Sequence, residues 1–161
     1  EFIEKINEKI NIIHKKTTEN KEEIELKYIS NVNPDIYITK LKESENIDIQ
    51  KGYTSIGIHR DDFEIYVNKK NVSIYGSQGQ QRSSIISLKL AEAEVVYDEI
   101  GEYPILLLDD FMSELDKKRI KGFIENIKNN QVLITTTDKF NLDTMVYNLY
   151  KVDKAKVERM N

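Results

Sequence analysis

Two adjacent carboxylates, Asp109 and Asp110, follow an apolar run over residues 105–108. Such a run predicts a buried parallel strand, and ligands of α/β proteins bind at the carboxyl edge of a parallel sheet. One carboxylate at this edge can hold a hard divalent cation such as Mg²⁺, and the next can orient an attacking water in phosphoryl transfer. The alternative is a strand that ends in a polar turn, with Asp110 capping the segment that follows.

A second polar motif, residues 77–82, reads Ser-Gln-Gly-Gln-Gln-Arg and opens a helical pattern. The N–H groups at a helix start lack acceptors within the helix and lie at the positive end of its dipole, so they suit phosphate. Ser77 can donate its hydroxyl, and Gly79 permits a ligand to approach the backbone closely. The same residues also fit a tight turn followed by an ordinary N-cap.

Three further motifs have both a structural and a functional interpretation. Residues 113–116 fit a capping box with Ser113 as the N-cap and Asp116 in place of the usual glutamate. Residues 135–138 fit the end of a β-branched strand, and residues 59–62 place four ionisable groups in one loop that could simply pair with one another. The order of the motifs along the chain favours function: it predicts a nucleotide-triphosphate site, or half of one.

Hydrophobic spacing predicts the elements that position these motifs in the first half of the chain. Isoleucines three and four residues apart over residues 1–16 predict a helix, which is either a surface helix of its own domain or the returning end of a helical arm. Asn33-Pro34 begins a helix over 34–51, with Ile38, Leu41, Glu45 and Ile49 on one face. Strands are predicted over residues 23–30, 63–67 and 72–75, the last two as a hairpin.

The second half of the chain predicts a βαβ unit and therefore an α/β fold with a layered sheet and flanking helices. The predicted elements are a helix over 83–100, a strand over 104–109, a helix over 116–129 and a strand over 131–136. A final hairpin around Asp153 is expected. We predict two parts, residues 1–20 as the end of a helical arm and residues 21–161 as the main lobe.

Composition excludes several classes of site. The chain has no cysteine, which rules out disulfides and thiolate metal sites, and its two histidines make a zinc site improbable. No apolar run approaches the ~20 residues of a membrane span. A net charge of −4 argues against bulk affinity for nucleic acid. Candidate DNA contacts have a simpler interpretation as a solvated helix face; they are Lys69, Lys70, Lys117, Lys118, Arg119 and Lys121.

Taken together, four stretches resemble the RecF family of bacterial recombination mediators, which are ABC-type ATPases. Residues 77–82 resemble the family's signature motif, 106–110 its Walker B strand and 113–116 its D-loop. Residues 57–62 are similar to a further family stretch, which normally has proline where Ile58 stands. The resemblance covers about residues 23–138, and it implies the C-terminal lobe of an ABC-type ATPase head preceded by an arm helix.

The resemblance implies roles for individual residues. Asp109 would bind Mg²⁺, mostly through water, and Asp110 would polarise the attacking water. The γ-phosphate of ATP held by the other subunit would contact Ser77, Gly79, Gln80 and Gln81. The D-loop residues Ser113 and Asp116 would sit across the dimer interface, Thr137 would stand at the switch position, and the loop of His59, Arg60, Asp61 and Asp62 has no role that the resemblance defines. Many ABC ATPases have histidine at the switch position, and a threonine there cannot carry the positive charge that a histidine can.

One family motif is missing from these residues: no G-x-x-x-x-G-K-[ST] phosphate loop occurs. In the family that loop belongs to an N-terminal lobe, and this chain begins at Glu1 within a helical pattern. We therefore expect a fragment, the C-terminal lobe with the last part of the arm. Alone it is expected to bind neither ATP nor Mg²⁺ tightly and to have no ATPase activity.

For the whole protein, the resemblance implies a weak DNA-dependent ATPase in the bacterial cytoplasm that dimerises when it binds ATP. It would bind double-stranded DNA near single-strand junctions and, with RecR and RecO, help RecA load during recombinational repair, replication and the SOS response. Two alternatives stay open: a non-catalytic DNA- or partner-binding module with the same fold, and the head lobe of an SMC-type or other ABC ATPase. Residues 59–62 and the short arm favour the RecF family.

Overall fold

The structure, a computed structural model, describes residues 1–110, 115–127, 129–137 and 146–160. Its core is formed where one N-terminal helix packs against a long central helix, a shorter helix and an antiparallel sheet. The predicted α/β class is confirmed: helices surround one three-stranded antiparallel sheet and one parallel strand pair. Within the described residues no helix is both long and apolar enough to cross a membrane.

Helix α1, Phe2–Thr17, places its isoleucine stripe in the core. Ile6, Ile10 and Ile13 are buried, as the three- and four-residue spacing predicts. The helix packs on three elements introduced below, α4, α5 and β1, so it belongs to this core. The division at residue 20 into arm and lobe stays a prediction.

Strands β1 (Ile24–Ile29), β2 (Asp62–Val67) and β3 (Lys70–Asn71) form the antiparallel sheet, with Ile24 opposite Val67. Its inner face is buried because apolar residues alternate along β1 and β2. The predicted return strand over 72–75 is wrong. Those residues form the single-turn helix α3, Val72–Tyr75, because the Asn71 side chain accepts a hydrogen bond from the Ser73 N–H at 3.0 Å and caps a helix start.

A peripheral helix, α2 (Tyr37–Lys51), follows a 3₁₀ turn at Pro34–Ile36. Asn33 caps the turn and Gly52 ends the helix with φ of 75°, both as the sequence indicates. The face predicted from Ile38, Leu41, Glu45 and Ile49 is not the face that packs, since Ile38 and Ile49 are exposed. The half-buried face is instead formed by Tyr37, Leu41, Ser44 and Asp48.

The predicted βαβ unit follows the long helix α4, Gln78–Ile100. It consists of β4 (Leu106–Leu108), α5 (Lys117–Asn126) and β5 (Val132–Ile134), and the two strands are parallel. Burial differs from the expectation of a fully buried strand. Leu107 is 74% exposed and Leu133 53% exposed, because the described residues cover only one face of this pair.

The chain ends in the predicted hairpin, with β6 at Tyr150–Asp153 and β7 at Lys156–Arg159. Its turn lies at Lys154 and Ala155, which both have positive φ, and not at Asp153. All eight strand residues are exposed, so this hairpin contributes little to the core.

Candidate nucleotide-binding site

Asp109 and Asp110 lie exposed at the carboxyl end of β4, next to Thr135 at the end of β5. The parallel register pairs Leu108 with Ile134, so Asp109 and Thr135 are the next neighbours along the edge. The Thr135 hydroxyl donates to Asp109 Oδ1 and accepts from the Asp110 N–H at 3.1 Å. This role of Thr135 was not predicted, although its place directly after the second parallel strand was a usable signal.

The backbone of Asp110 turns sharply at this edge. Its φ is +41°, a left-handed conformation that aspartate and asparagine tolerate better than most residues. Its carbonyl oxygen accepts a hydrogen bond from Arg82 Nη1 at 3.3 Å. Arg82 thus links the end of the polar turn to the carboxylate edge.

Thr137, predicted at the switch position, is exposed two residues beyond Thr135. The hydroxyl that contacts Asp109 is that of Thr135. The switch role of Thr137 stays a prediction, and the structure adds Thr135 as a second threonine at this edge.

Ser77 begins α4 with a capping box, which was the structural interpretation of this motif. Its hydroxyl accepts from the Gln80 N–H at 3.2 Å, and Gln80 Oε1 accepts from the Ser77 N–H at 3.0 Å. Among the described residues, the N–H groups of Gln78 and Gly79 have no acceptor. The cap therefore leaves two donors at an exposed helix start, which is the arrangement that anions favour.

Gly79 has no internal reason to be glycine. Among the described residues, a Cβ built on it would meet only Arg119 Nε, at 4.0 Å, an ordinary contact distance. The fold would thus accept a side chain here, and a glycine is needed only if something outside this chain approaches the backbone. Gln81, in contrast, uses its amide internally, donating to the carbonyls of Val72 and Gly76 at 3.3 Å each.

The Ser77 turn, residues 77–82, and the carboxylate edge, formed by Asp109 and Asp110, border one open groove between α4 and β4. Its lining contains both polar and apolar side chains, among them Gln81, Arg82, Ile85, Lys89, Leu107, Asp109 and Asp110. The structure therefore places the end of the signature-like motif and the two aspartates on one surface.

Beneath the Ser77 turn lies a buried polar cluster that sequence reasoning missed. Glu22 is at its centre, so we call it the Glu22 cluster; its other members are His14, Gln80, Ser83, Ser87 and Arg119. Arg119 Nη2 donates to Glu22 Oε1 at 2.8 Å and Arg119 Nη1 to Oε2 at 3.3 Å. Nothing in the sequence pairs two residues that are 97 positions apart.

The charge states in this cluster follow from burial and hydrogen bonding. Burial opposes ionisation of Glu22, but hydrogen bonds from Arg119 and Gln80 outweigh it and hold the pKa of the carboxyl below its ordinary value. Burial lowers the pKa of His14, and the nearby Glu22 only partly offsets this. We therefore treat the 3.2 Å contact between His14 Nε2 and Glu22 as a hydrogen bond from a neutral ring, with Nδ1 accepting from the Ser87 hydroxyl at 2.9 Å.

The predicted capping box at residues 113–116 is wrong in its assignment of Asp116. Asp116 is itself the N-cap of α5, and its Oδ1 accepts from the Lys118 and Arg119 N–H groups at 2.9 Å each. Ser113 lies outside the described residues. Arg119 was also a candidate DNA contact, but its side chain is only 15% exposed and its guanidinium is engaged by Glu22.

The loop of residues 59–62 is held by its own surroundings. His59 Nε2 donates to the Thr54 carbonyl at 3.0 Å, and the Arg60 Nε donates to the same oxygen at 3.3 Å. Asp61 accepts from the Asn31 N–H at 2.7 Å and from the Tyr28 hydroxyl. Asp62 accepts from the adjacent Phe63 N–H. The four ionisable groups therefore bind neighbouring segments, and the contacts found are not the mutual pairing that the simpler interpretation predicts. Within the described residues no hydrogen bond joins the loop to the carboxylate edge.

Two curated proteins that are similar in sequence to this chain share one name. A protein of Alkaliphilus oremlandii named DNA replication and repair protein RecF is 49% identical over 146 residues, covering 84% of this chain and 40% of that protein. One of the same name from Clostridium beijerinckii is 44% identical over 163 residues, covering 98% of this chain and 43% of its own length. No protein-family model matches the chain.

Solved structures agree with this. The recombination mediator protein RecF-ATPrS in the RecFOR pathway superposes with a TM-score of 0.72 at 27% identity, and RecF-ATP with 0.71 at 29%. Each alignment covers 99% of this chain and 45% or 44% of the solved chain, and the predicted ABC-type fold is confirmed. The chain spans less than half the length of the curated relatives it matches, and it belongs to the RecF family.

Proposed function

We propose that this chain is a lobe of a RecF-family protein with contacts to two ATP molecules. The Ser77 turn, as the signature motif, would contact ATP bound by a partner subunit. The edge with Asp109 and Asp110, as the Walker B motif, would face ATP bound by the same subunit. The observation that carries the proposal is the exposed pair Asp109 and Asp110, ordered by Thr135 at the carboxyl edge of two parallel strands. Ligands of such sheets bind at that edge.

The carboxylate edge fits Mg²⁺. Magnesium takes oxygen ligands, keeps several waters and is commonly held by one or two carboxylates together with substrate phosphates. Asp109 would hold the ion, and the Thr135 hydroxyl would orient the ligating carboxylate. The bound ion would neutralise charge on the phosphates. Asp110 would accept a proton from the attacking water and would thereby orient that water.

The Ser77 turn fits the phosphate of a second nucleotide. It is exposed, it holds two N–H donors for which the described part of the chain offers no acceptor, and the described contacts do not require a glycine at position 79. We assign γ-phosphate contact to Ser77, Gly79 and the start of α4. The side chains of Gln80 and Gln81 maintain the turn. We assign the D-loop residues Ser113 and Asp116 to the dimer interface of the proposed assembly.

Since these residues contain no phosphate loop, tight ATP binding needs residues outside the chain. In the intact protein ATP would then be shared between two subunits, so its binding would stabilise the homodimer and its hydrolysis would release it. We infer that the dimer binds duplex DNA beside single-strand gaps in the bacterial cytoplasm. There it would act in DNA replication and recombinational repair with RecR and RecO to help RecA load.

Asp110→Asn in the intact protein tests the proposal. Asparagine keeps the shape and tolerates the left-handed backbone, so the fold is retained while the proton acceptor is lost. We expect ATP to be bound and dimers to accumulate, with ATP turnover reduced by at least about a hundredfold, the size usual for general-base loss. Unchanged turnover would favour a non-catalytic module, and the exposed Asp98→Asn is the control.

A further inference from the structure

The Gln80 side chain joins the Ser77 turn to the Glu22 cluster. Its amide nitrogen donates to Glu22 Oε1 at 3.1 Å, and its amide oxygen accepts from the Ser77 N–H at 3.0 Å. A flipped amide would place its oxygen against a carboxylate and its NH₂ against an N–H donor, which is doubly unfavourable. The Glu22 carboxylate therefore determines which end of Gln80 faces Ser77.

We propose that Glu22 and Arg119 are positioning residues for the phosphate-binding turn, acting through Gln80. The link to nucleotide rests on the function proposed above, whereas the positioning itself rests on contacts within this chain. Neither residue need touch a ligand: Glu22 sets the orientation of Gln80, and Gln80 completes the capping box that shapes the turn.

Arg119 keeps Glu22 in place and ionised. The guanidinium spans both carboxylate oxygens, and the pair has side chains only 15% and 11% exposed. Such a charge-assisted pair has a defined planar geometry that lysine cannot reproduce. Arg119 also donates to the Ser83 hydroxyl, one helical turn beyond Gln80, and its Nε lies behind Gly79. The pair thus supports the first two turns of α4 from below.

The cluster also connects the turn to the helix that follows the carboxylate edge. Arg119 belongs to α5. Its Nε lies 3.6 Å from Oδ2 of Asp116, the N-cap of that helix. A displacement of α5 would move Arg119, then Glu22 and Gln80. By this route the Ser77 turn and the start of α5 are joined through Glu22 and Arg119.

The first test is Glu22→Gln in the intact protein, followed by amide hydrogen exchange of peptides covering residues 76–82. We expect exchange in this turn to accelerate about tenfold, the effect of losing a hydrogen bond to a charged group. Exchange in the second half of α4 should be unchanged. The matched control is Glu23→Gln, whose exposed carboxylate pairs with Lys15 at 2.8 Å outside the cluster.

The second test is a double-mutant cycle on the ATP-dependent dimerisation constant, measured by light scattering. Glu22→Gln and Gln80→Met should each raise the dissociation constant of the dimer about tenfold, because each removes a hydrogen bond to a charged group. If Glu22 acts through Gln80, then Glu22→Gln has little further effect in the Gln80→Met background. Independent structural damage would instead give additive effects.

Three outcomes would overturn the inference: unchanged exchange in the turn, equal acceleration throughout α1 and α5, or additive effects on dimerisation. If the wild-type protein shows no ATP-dependent dimer, the proposed function fails, and the exchange experiment alone decides the positioning role. Should Glu22→Gln fail to fold, Arg119→Lys replaces it. That variant keeps the charge but loses the bidentate contact, and the same local acceleration is expected.

Discussion

Gly122 of α5 lies in direct backbone contact with Thr17 at the end of α1. A Cβ built on Gly122 would lie 2.5 Å from Thr17 Cα and 2.6 Å from the Lys16 carbonyl oxygen, so no other residue fits without a shift. The Asn126 amide, one turn along α5, donates to the Gly122 carbonyl at 2.9 Å and to Thr17 Oγ1 at 3.3 Å. This contact sets the position of α5, and with it that of Arg119.

Gly122→Ala should destabilise the fold by about 1–3 kcal/mol or more, because overpacking must separate two helix backbones. The gain in helix propensity, about 1 kcal/mol, is too small to offset this. Urea unfolding measures the effect. The exposed Glu125→Ala in the same helix is the control, and an equal change in both variants would contradict the contact.

His14→Gln should reduce the acid sensitivity of the fold. Burial lowers the pKa of His14, so the unfolded chain takes up a proton near pH ~6.5 that the folded chain does not. The free energy of unfolding therefore falls as pH drops below about 6.5. The pKa of Glu22 is also lowered, so its contribution is lost only at still lower pH.

Urea unfolding at pH 7 and pH 5.5 checks this expectation. We expect the variant to be less stable at pH 7, since it disturbs the cluster, but to lose less free energy between the two pH values. The exposed His59→Gln is the control for replacing a histidine outside the Glu22 cluster. A His14→Gln variant that remains equally acid-sensitive would show that His14 is not the responsible group.

Thr135→Val should lower ATP turnover of the intact protein by roughly tenfold or more, as for other partners that orient a metal-ligating carboxylate. The change removes the hydroxyl that contacts Asp109 and the Asp110 N–H, while keeping a β-branched shape. Thr137→Val is the matched control. A larger loss from Thr137→Val would favour the switch position that the family resemblance implies.

Neutralising Lys117, Lys118 and Lys121 should lower the salt dependence of duplex binding by the intact protein. Each lost phosphate contact reduces the slope of log K against log salt by about 0.9. Arg119 is left unchanged because Glu22 already holds it. Lys40, Lys42 and Lys51 on α2, also exposed, form the control triple, and a slope equal to wild type would remove α5 from the DNA surface.

Sequence reasoning succeeded where a signal is local. The isoleucine stripe of α1, the Asn33 cap, the glycine end of α2 and the parallel pair around α5 involve residues close in the chain or repeated at one period. It failed at α3, where residues 72–75 were predicted as a strand, and at the N-cap of α5, where Ser113 and Asp116 were both candidate caps. A single short side chain then decides where the helix starts.

The sequence by itself determined the α/β class, the family and the two aspartates at a strand end, because periodicity and motif order are properties of neighbouring residues. Only the tertiary structure revealed that Thr135 orders Asp109 and Asp110, and that Glu22 and Arg119 meet beneath Gln80. The contact of Thr135 depends on the register of β4 and β5, whereas the contacts of Glu22 and Arg119 depend on how α1, α4 and α5 pack. Packing is set by the shapes of distant side chains, including the close approach at Gly122, and no local pattern encodes it.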